Sequence, residues 1–98
     1  MTIYLEVKSI QDCEHVDYRY RPCLHISFEH EGNYYHCYSG DWIEDGREEE
    51  YLQWLVDNPD TTRAIVLNLV EHCIARTITI SKLAFAFMKR KADLTFEL

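Results

Sequence analysis

CLHISFEHEGNYYHCYSG, residues 23–40, carries the clearest local pattern in the chain. Leu24, Ile26 and Phe28 alternate with Cys23, His25, Ser27 and Glu29, the period-2 pattern of a half-buried strand. A second aromatic run, Tyr34 to Tyr38, follows after a short Gly-containing connection, and two extended runs joined this way read as a β-hairpin. Two turns fit. Glu31-Gly32 pairs Ser27 with His36 and His25 with Tyr38, whereas Gly32-Asn33 pairs Glu29 with His36 and Ser27 with Tyr38. Both registers have the same parity. With Leu24, Ile26 and Phe28 facing the core, each puts His25, Glu29, Tyr34, His36 and Tyr38 on the opposite, outward face, which a three-residue loop would invert.

Working outward, TIYLEVKSI at residues 2–10 alternates Ile3, Leu5 and Val7 with Tyr4, Glu6 and Lys8 and reads as an N-terminal strand. QDCEHVD, residues 11–17, is polar and loop-like. YRYRP, residues 18–22, could begin the next strand, with Pro22 at its edge or start. From Glu44 the period changes. EDGREEEYLQWLVDN places Tyr51, Leu52, Leu55 and Val56 at helical spacing behind Glu48–Glu50, and Asn58-Pro59 punctuates it. Proline suits the first turn of a helix, so a second helix is expected from about Pro59 to Ala75. Its apolar face is Ile65, Val66, Leu69, Val70, Cys73 and Ile74.

The tail admits two readings. Leu83, Phe85 and Phe87 alternate, as do Leu94, Phe96 and Leu98, which favours strands. Alternatively SKLAFAFMKRKAD, residues 81–93, is a third helix capped by Ser81, since Ala, Leu, Met, Lys and Arg favour helix. Alternation continuing into both flanks tips the choice towards strands. The expected fold is one α+β domain over residues 1–98, with two layers. A largely antiparallel sheet (N-terminal strand, central hairpin, C-terminal strand or strands) packs against two helices.

Charge is the second strong signal. The net charge is −7. Residues 41–60, DWIEDGREEEYLQWLVDNPD, hold eight carboxylates against Arg47 alone, while the remaining nine acids and nine bases cancel. A helix N-terminus welcomes Glu48–Glu50 through its macrodipole. That does not account for Asp41, Glu44 and Asp45 ahead of the helix, or for Asp57 and Asp60 beyond it. Trp42 lies within this run. An acidic patch with an aromatic anchor has the composition of a surface that docks on a basic one, charge steering the encounter and the indole supplying the desolvated contact. Structural roles for the indoles are a plug at the open end of the core for Trp42 and packing beneath the first helix for Trp54.

Specific chemical motifs are missing. Cys13-x-His15, Cys23-x-His25, His36-Cys37 and His72-Cys73 do not have the spacing of structural zinc sites, and adjacent residues of a strand point to opposite faces. No metal or other cofactor is expected. There is no Gly-rich phosphate loop, nucleophile elbow or paired-carboxylate motif, and a chain of 98 residues has little room for a closed pocket. The expectation is therefore a protein that is not an enzyme. YRYR and the Lys89–Lys91 cluster would suit nucleic acid, but the negative net charge opposes the attraction that dominates such binding. No apolar run is long enough to span a membrane, and no signal-peptide pattern opens the chain. Four cysteines without a C-x-x-C pair fit reduced thiols in the cytoplasm.

These observations lead to a small acidic protein-binding module whose partner has a basic surface, with Asp41, Trp42, Glu44, Asp45, Glu48 and Glu49 as the docking residues. Nucleic-acid-handling enzymes are natural partners, because a carboxylate row can occupy their basic grooves as phosphates do. In size and charge alone, the small acidic inhibitors of phages and mobile elements, anti-CRISPR and immunity proteins among them, are analogous. The alternative is a self-associating sheet domain, a homodimer, that binds a small ligand or metal through His25, Glu29, Tyr34, His36 and Tyr38.

Overall fold

The computed structural model describes residues 1–9 and 22–98, with the backbone alone at 40 and 41. YRYR and the Cys13-x-His15 pair lie outside the described residues. The elements are β1 (Thr2–Ser9), β2 (Pro22–His30), β3 (Asn33–Trp42), α1 (Glu48–Asp57), α2 (Pro59–Ala75), β4 (Thr79–Ile80), α3 (Lys82–Arg90) and β5 (Leu94–Glu97). The sheet runs β4-β3-β2-β1-β5 with every neighbouring pair antiparallel. The α+β class expected from the sequence is the one observed.

The hairpin turns at Glu31-Gly32, so Ser27 faces His36 and His25 faces Tyr38. Both turn residues have positive φ, 51° and 79°. That is the mirror-image turn whose twist matches the strands, and Gly32 supplies half of it without strain.

One sheet face carries Ile3, Leu5, Leu24, Ile26, Phe28, Tyr35 and Cys37. Against it pack Leu55 of α1 and Val66, Val70 and Cys73 of α2, all buried. Full burial of such side chains stabilises the fold by roughly 1.5–3 kcal/mol each. α2 also buries Thr62, whose hydroxyl donates to the Leu55 carbonyl at 2.7 Å and ties the start of α2 to α1. Val56, expected on the core stripe of α1, is exposed instead.

The tail corrects the preference for strands over residues 83–87. This segment is α3, and the Ser81 hydroxyl accepts from the Ala84 amide at 3.1 Å as its N-cap. Topology gives the reason. β4 lies on one edge of the sheet and β5 on the other, about 19 Å apart at four strand spacings. A nine-residue helix, about 13.5 Å long, crosses most of that span, whereas a hairpin would return to the edge it left. The alternation was misleading because 83 and 87 are one helical turn apart and 85 lies on the other side. Phe85 is buried against Tyr4 and Tyr34, with ring centroids 5.9 and 4.9 Å away. Leu83 and Phe87 are 82% and 57% exposed. Tyr4 and Tyr34 belong to the second face of the sheet, so α3 covers that face while α1 and α2 cover the first, three helices rather than the expected two. Where α3 crosses, the fold has three layers.

Candidate functional site

Of the six residues expected to dock a partner, the structure puts two, Trp42 and Glu44, on the lining of one groove and a third, Asp45, on an adjoining hollow. β3 ends at Trp42, and the Ile43 amide bonds the Pro22 carbonyl at 2.8 Å, which pins the following loop to β2. Gly46, with φ 85°, lets that loop turn into α1. On α1 and its cap, Arg47, Glu50, Tyr51 and Trp54 recur at i, i+3, i+4 and i+7 and share one stripe. With Trp42, Ile43 and Glu44 they line a groove of about 390 Å³. A second hollow shares Trp42, Ile43 and Glu44 and adds Pro22 and Asp45. Trp42 and Trp54 are 43% and 42% exposed, so neither indole is spent on the core. The Tyr51 and Trp54 rings lie 5.9 Å apart and 20° from parallel.

Glu48 and Glu49 sit beside the groove, in the first turn of α1, without lining it. Of Asp41 the backbone is placed, at the end of β3. Sequence reasoning missed Ile43, Arg47, Glu50, Tyr51 and Trp54. The i, i+3, i+4, i+7 stripe was a readable signal for four of them, but the apolar stripe through Leu52 and Leu55 on the same helix drew the reading first.

Arg47 sits between two carboxylates. Its Nε donates to Glu50 Oε2 at 2.8 Å, and a terminal nitrogen reaches Glu44 Oε2 at 3.4 Å. It also occupies the N-cap of α1, where its side chain makes no capping bond.

The residues of the alternative sheet-face site separate into two groups. His25, His36 and Tyr38 come together with Cys23. His25 Nδ1 lies 3.0 Å from His36 Nε2, and His25 Nε2 lies 3.3 Å from Cys23 Sγ. The two imidazoles are nearly parallel, and the Tyr38 ring centroid is 5.4 Å from that of His25. This face does point away from α1 and α2. Contrary to expectation, its centre is closed: His25 is only 4% exposed, and Cys23 and Ser27 are buried with it. Glu29 and Tyr34 lie apart from the histidines, at the α3 end. Tyr34 packs on Phe85 there, and Glu29 borders a hollow shared with Tyr4, Phe85 and Lys89.

Burial sets the protonation of this cluster. It pushes His25 down to about 3, with the neighbouring His36 and Lys8 adding to the effect and a hydrogen bond to the Lys8 backbone opposing it. Burial and Lys8 likewise bring His36 down to about 4. Burial raises the Cys23 thiol to about 11, against the pull of Lys8. All three are neutral at pH 7. A thiol so raised is the reverse of an activated nucleophile. The two nitrogens of His25 address different partners, so Cys23, His25 and His36 form a line rather than a cage. Among the described residues no three His, Cys, Asp or Glu side chains are grouped to hold a metal ion.

Compared with protein-family models, curated proteins and solved structures, the chain matches none of them. Its function is therefore argued from the site itself. No helix among the described residues is long and apolar enough to cross a membrane.

Proposed function

We propose that this chain is a non-enzymatic protein-binding module that docks on a basic surface of its partner through the groove between Trp42 and Trp54. The observation that carries this reading is the coincidence of two features. Both tryptophans of the chain stand more than 40% exposed on one groove, and that groove lies within the twenty residues that hold the whole charge imbalance. Indoles in a partly open groove are the residue type that dominates binding energy at interfaces, and the surrounding carboxylates favour a cationic partner and speed encounter. The mode of action that fits is occlusion, the module covering a groove the partner uses for nucleic acid, as a counter-defence or immunity protein would.

The neutral Cys23–His25–His36 line, buried at Cys23 and His25, supports a structural rather than catalytic role for the Cys23–His25 contact. Cys23, Cys37 and Cys73 are free buried thiols, in keeping with a reducing cytoplasm.

The test is affinity capture from the source cells, with 50 and 500 mM salt washes. Wild type runs beside a variant carrying Glu44→Lys, Asp45→Lys, Glu48→Lys and Glu49→Lys, and beside Trp54→Ala. The expected outcome is a partner held by wild type, shed at high salt and absent from both folded variants. A partner retained equally by all three proteins would refute the groove as the docking site.

A further inference from the structure

The groove is chemically narrower than an acidic patch. It is lined by three aromatic residues, Trp42, Tyr51 and Trp54, together with Ile43, Arg47 and the carboxylate residues Glu44 and Glu50. An apolar side chain entering it would leave carboxylates to be desolvated without a partner, and an anion would be repelled. A compact ammonium would answer the charge but make poor use of the flat walls. A guanidinium answers both, since it stacks on aromatic faces and donates to two carboxylates at once from a rigid fork.

One guanidinium is already there. Arg47 lines the groove and bonds both Glu44 and Glu50. Helix physics does not call for it at that position. An N-cap favours Ser, Thr, Asp or Asn, and a cation at the positive end of a helix opposes the macrodipole. Arg47 makes no capping bond and is the only base among residues 41–60. Its two ion pairs join exposed groups, a kind that contributes little net stability and is readily exchanged for an equivalent partner.

We propose that the groove recognises an arginine side chain of the partner, and that Arg47 holds that place in the free protein and is displaced on binding. The inference rests on the groove being the docking site and names the side chain that enters it. Arg47 then acts as an internal competitor. It keeps the two carboxylates paired while the groove is empty, and it excludes ligands unable to replace its hydrogen bonds.

The experiment is a fluorescence-anisotropy titration of labelled nona-arginine and nona-lysine peptides at one fixed ionic strength. It uses wild type, Arg47→Ala, Trp54→Ala and Glu50→Gln, each checked for folding by circular dichroism. Nona-arginine is expected to bind about fivefold more tightly than nona-lysine, the effect of one exposed cation–π contact. Arg47→Ala should tighten nona-arginine binding by about threefold, the effect of freeing one exposed ion-paired site. Trp54→Ala and Glu50→Gln should each erase the preference for arginine. Equal affinity for the two peptides, or weaker nona-arginine binding in Arg47→Ala, would overturn the inference and leave the basic-partner reading standing. Failure of wild type to bind either peptide would remove both.

Discussion

The histidine line on the second face of the sheet and the tryptophan groove at the end of β3 are made of similar material, aromatic rings beside ionisable groups. Their surroundings separate them. In the sheet, cross-strand neighbours stand side by side, so Cys23 and His25 are buried and His36 is half-buried beside them. Both imidazoles are held in the neutral form, while Tyr38 at the edge of the cluster is 46% exposed. At the groove, β3 ends at Trp42 and gives way to a loop and α1, and the exposed Glu44, Asp45, Glu49 and Glu50 surround two indoles that are each more than 40% exposed. The first arrangement spends its polar groups on one another. The second keeps them available. Chemistry-bearing residue types therefore say little about function until their solvation is known, and here solvation points to the groove.

The largest expected effect concerns His25 and His36. Both histidines are held below their ordinary value of 6.5, at about 3 and about 4, so the unfolded chain binds protons before the folded one does. Their contribution is fully present above about pH 6.5 and is lost as pH falls through the folded values. Together the two histidines should remove about 3–6 kcal/mol of stability between pH 6.5 and pH 4, which rivals the total stability of a typical small domain. Denaturant melts across that range should show the slope, and a His25→Gln, His36→Gln variant should lack most of it. An identical slope in the variant would mean that the histidines are solvated after all.

A chemical probe reads the same burial at the thiol. With Cys23 raised to about 11, iodoacetamide at pH 8 should label it about 100-fold more slowly in the native protein than in denaturant. Peptide mass mapping would follow the residue. Rapid native labelling would contradict a closed cluster.

The open half should show the opposite behaviour towards substitution. Glu49→Gln, on an exposed carboxylate in the first turn of α1, should change stability by less than about 0.5 kcal/mol. A loss approaching that of a buried-leucine truncation such as Leu55→Ala, about 2–5 kcal/mol, would make the acidic segment a structural element rather than a surface kept for a partner.

Much of this architecture could be read from residue order because local chemistry and tertiary packing agree. The alternation of Leu24, Ile26 and Phe28 and the Asn58-Pro59 junction each have one dominant outcome, whereas the hairpin turn had two, Glu31-Gly32 and Gly32-Asn33, which the residue order left open. α3 was harder, because Leu83, Phe85 and Phe87 satisfy a strand pattern while Ser81, Ala84, Ala86 and Met88 satisfy a helix. Only the need to cross from β4 to β5 decides between them, and that need appears with the complete sheet. The acidic segment was legible as charge, yet the groove beside it was not. Trp54 had a plausible home under α1, and a helix with two candidate stripes does not announce which one meets a loop from elsewhere. The burial of His25 was equally hidden, since period-2 logic says which face a residue takes but not whether that face stays open.

One spectrum compares the two regions at once. The protein has only two tryptophans, both on the groove, so a two-dimensional ¹H–¹⁵N spectrum carries two indole signals that report it directly. Titrated with a basic peptide, both indole signals should shift with the same saturation curve, while the backbone amides of His25, Ser27 and His36 stay still. Stationary indoles, with the His25, Ser27 and His36 amides moving instead, would contradict the account and return function to the histidine face.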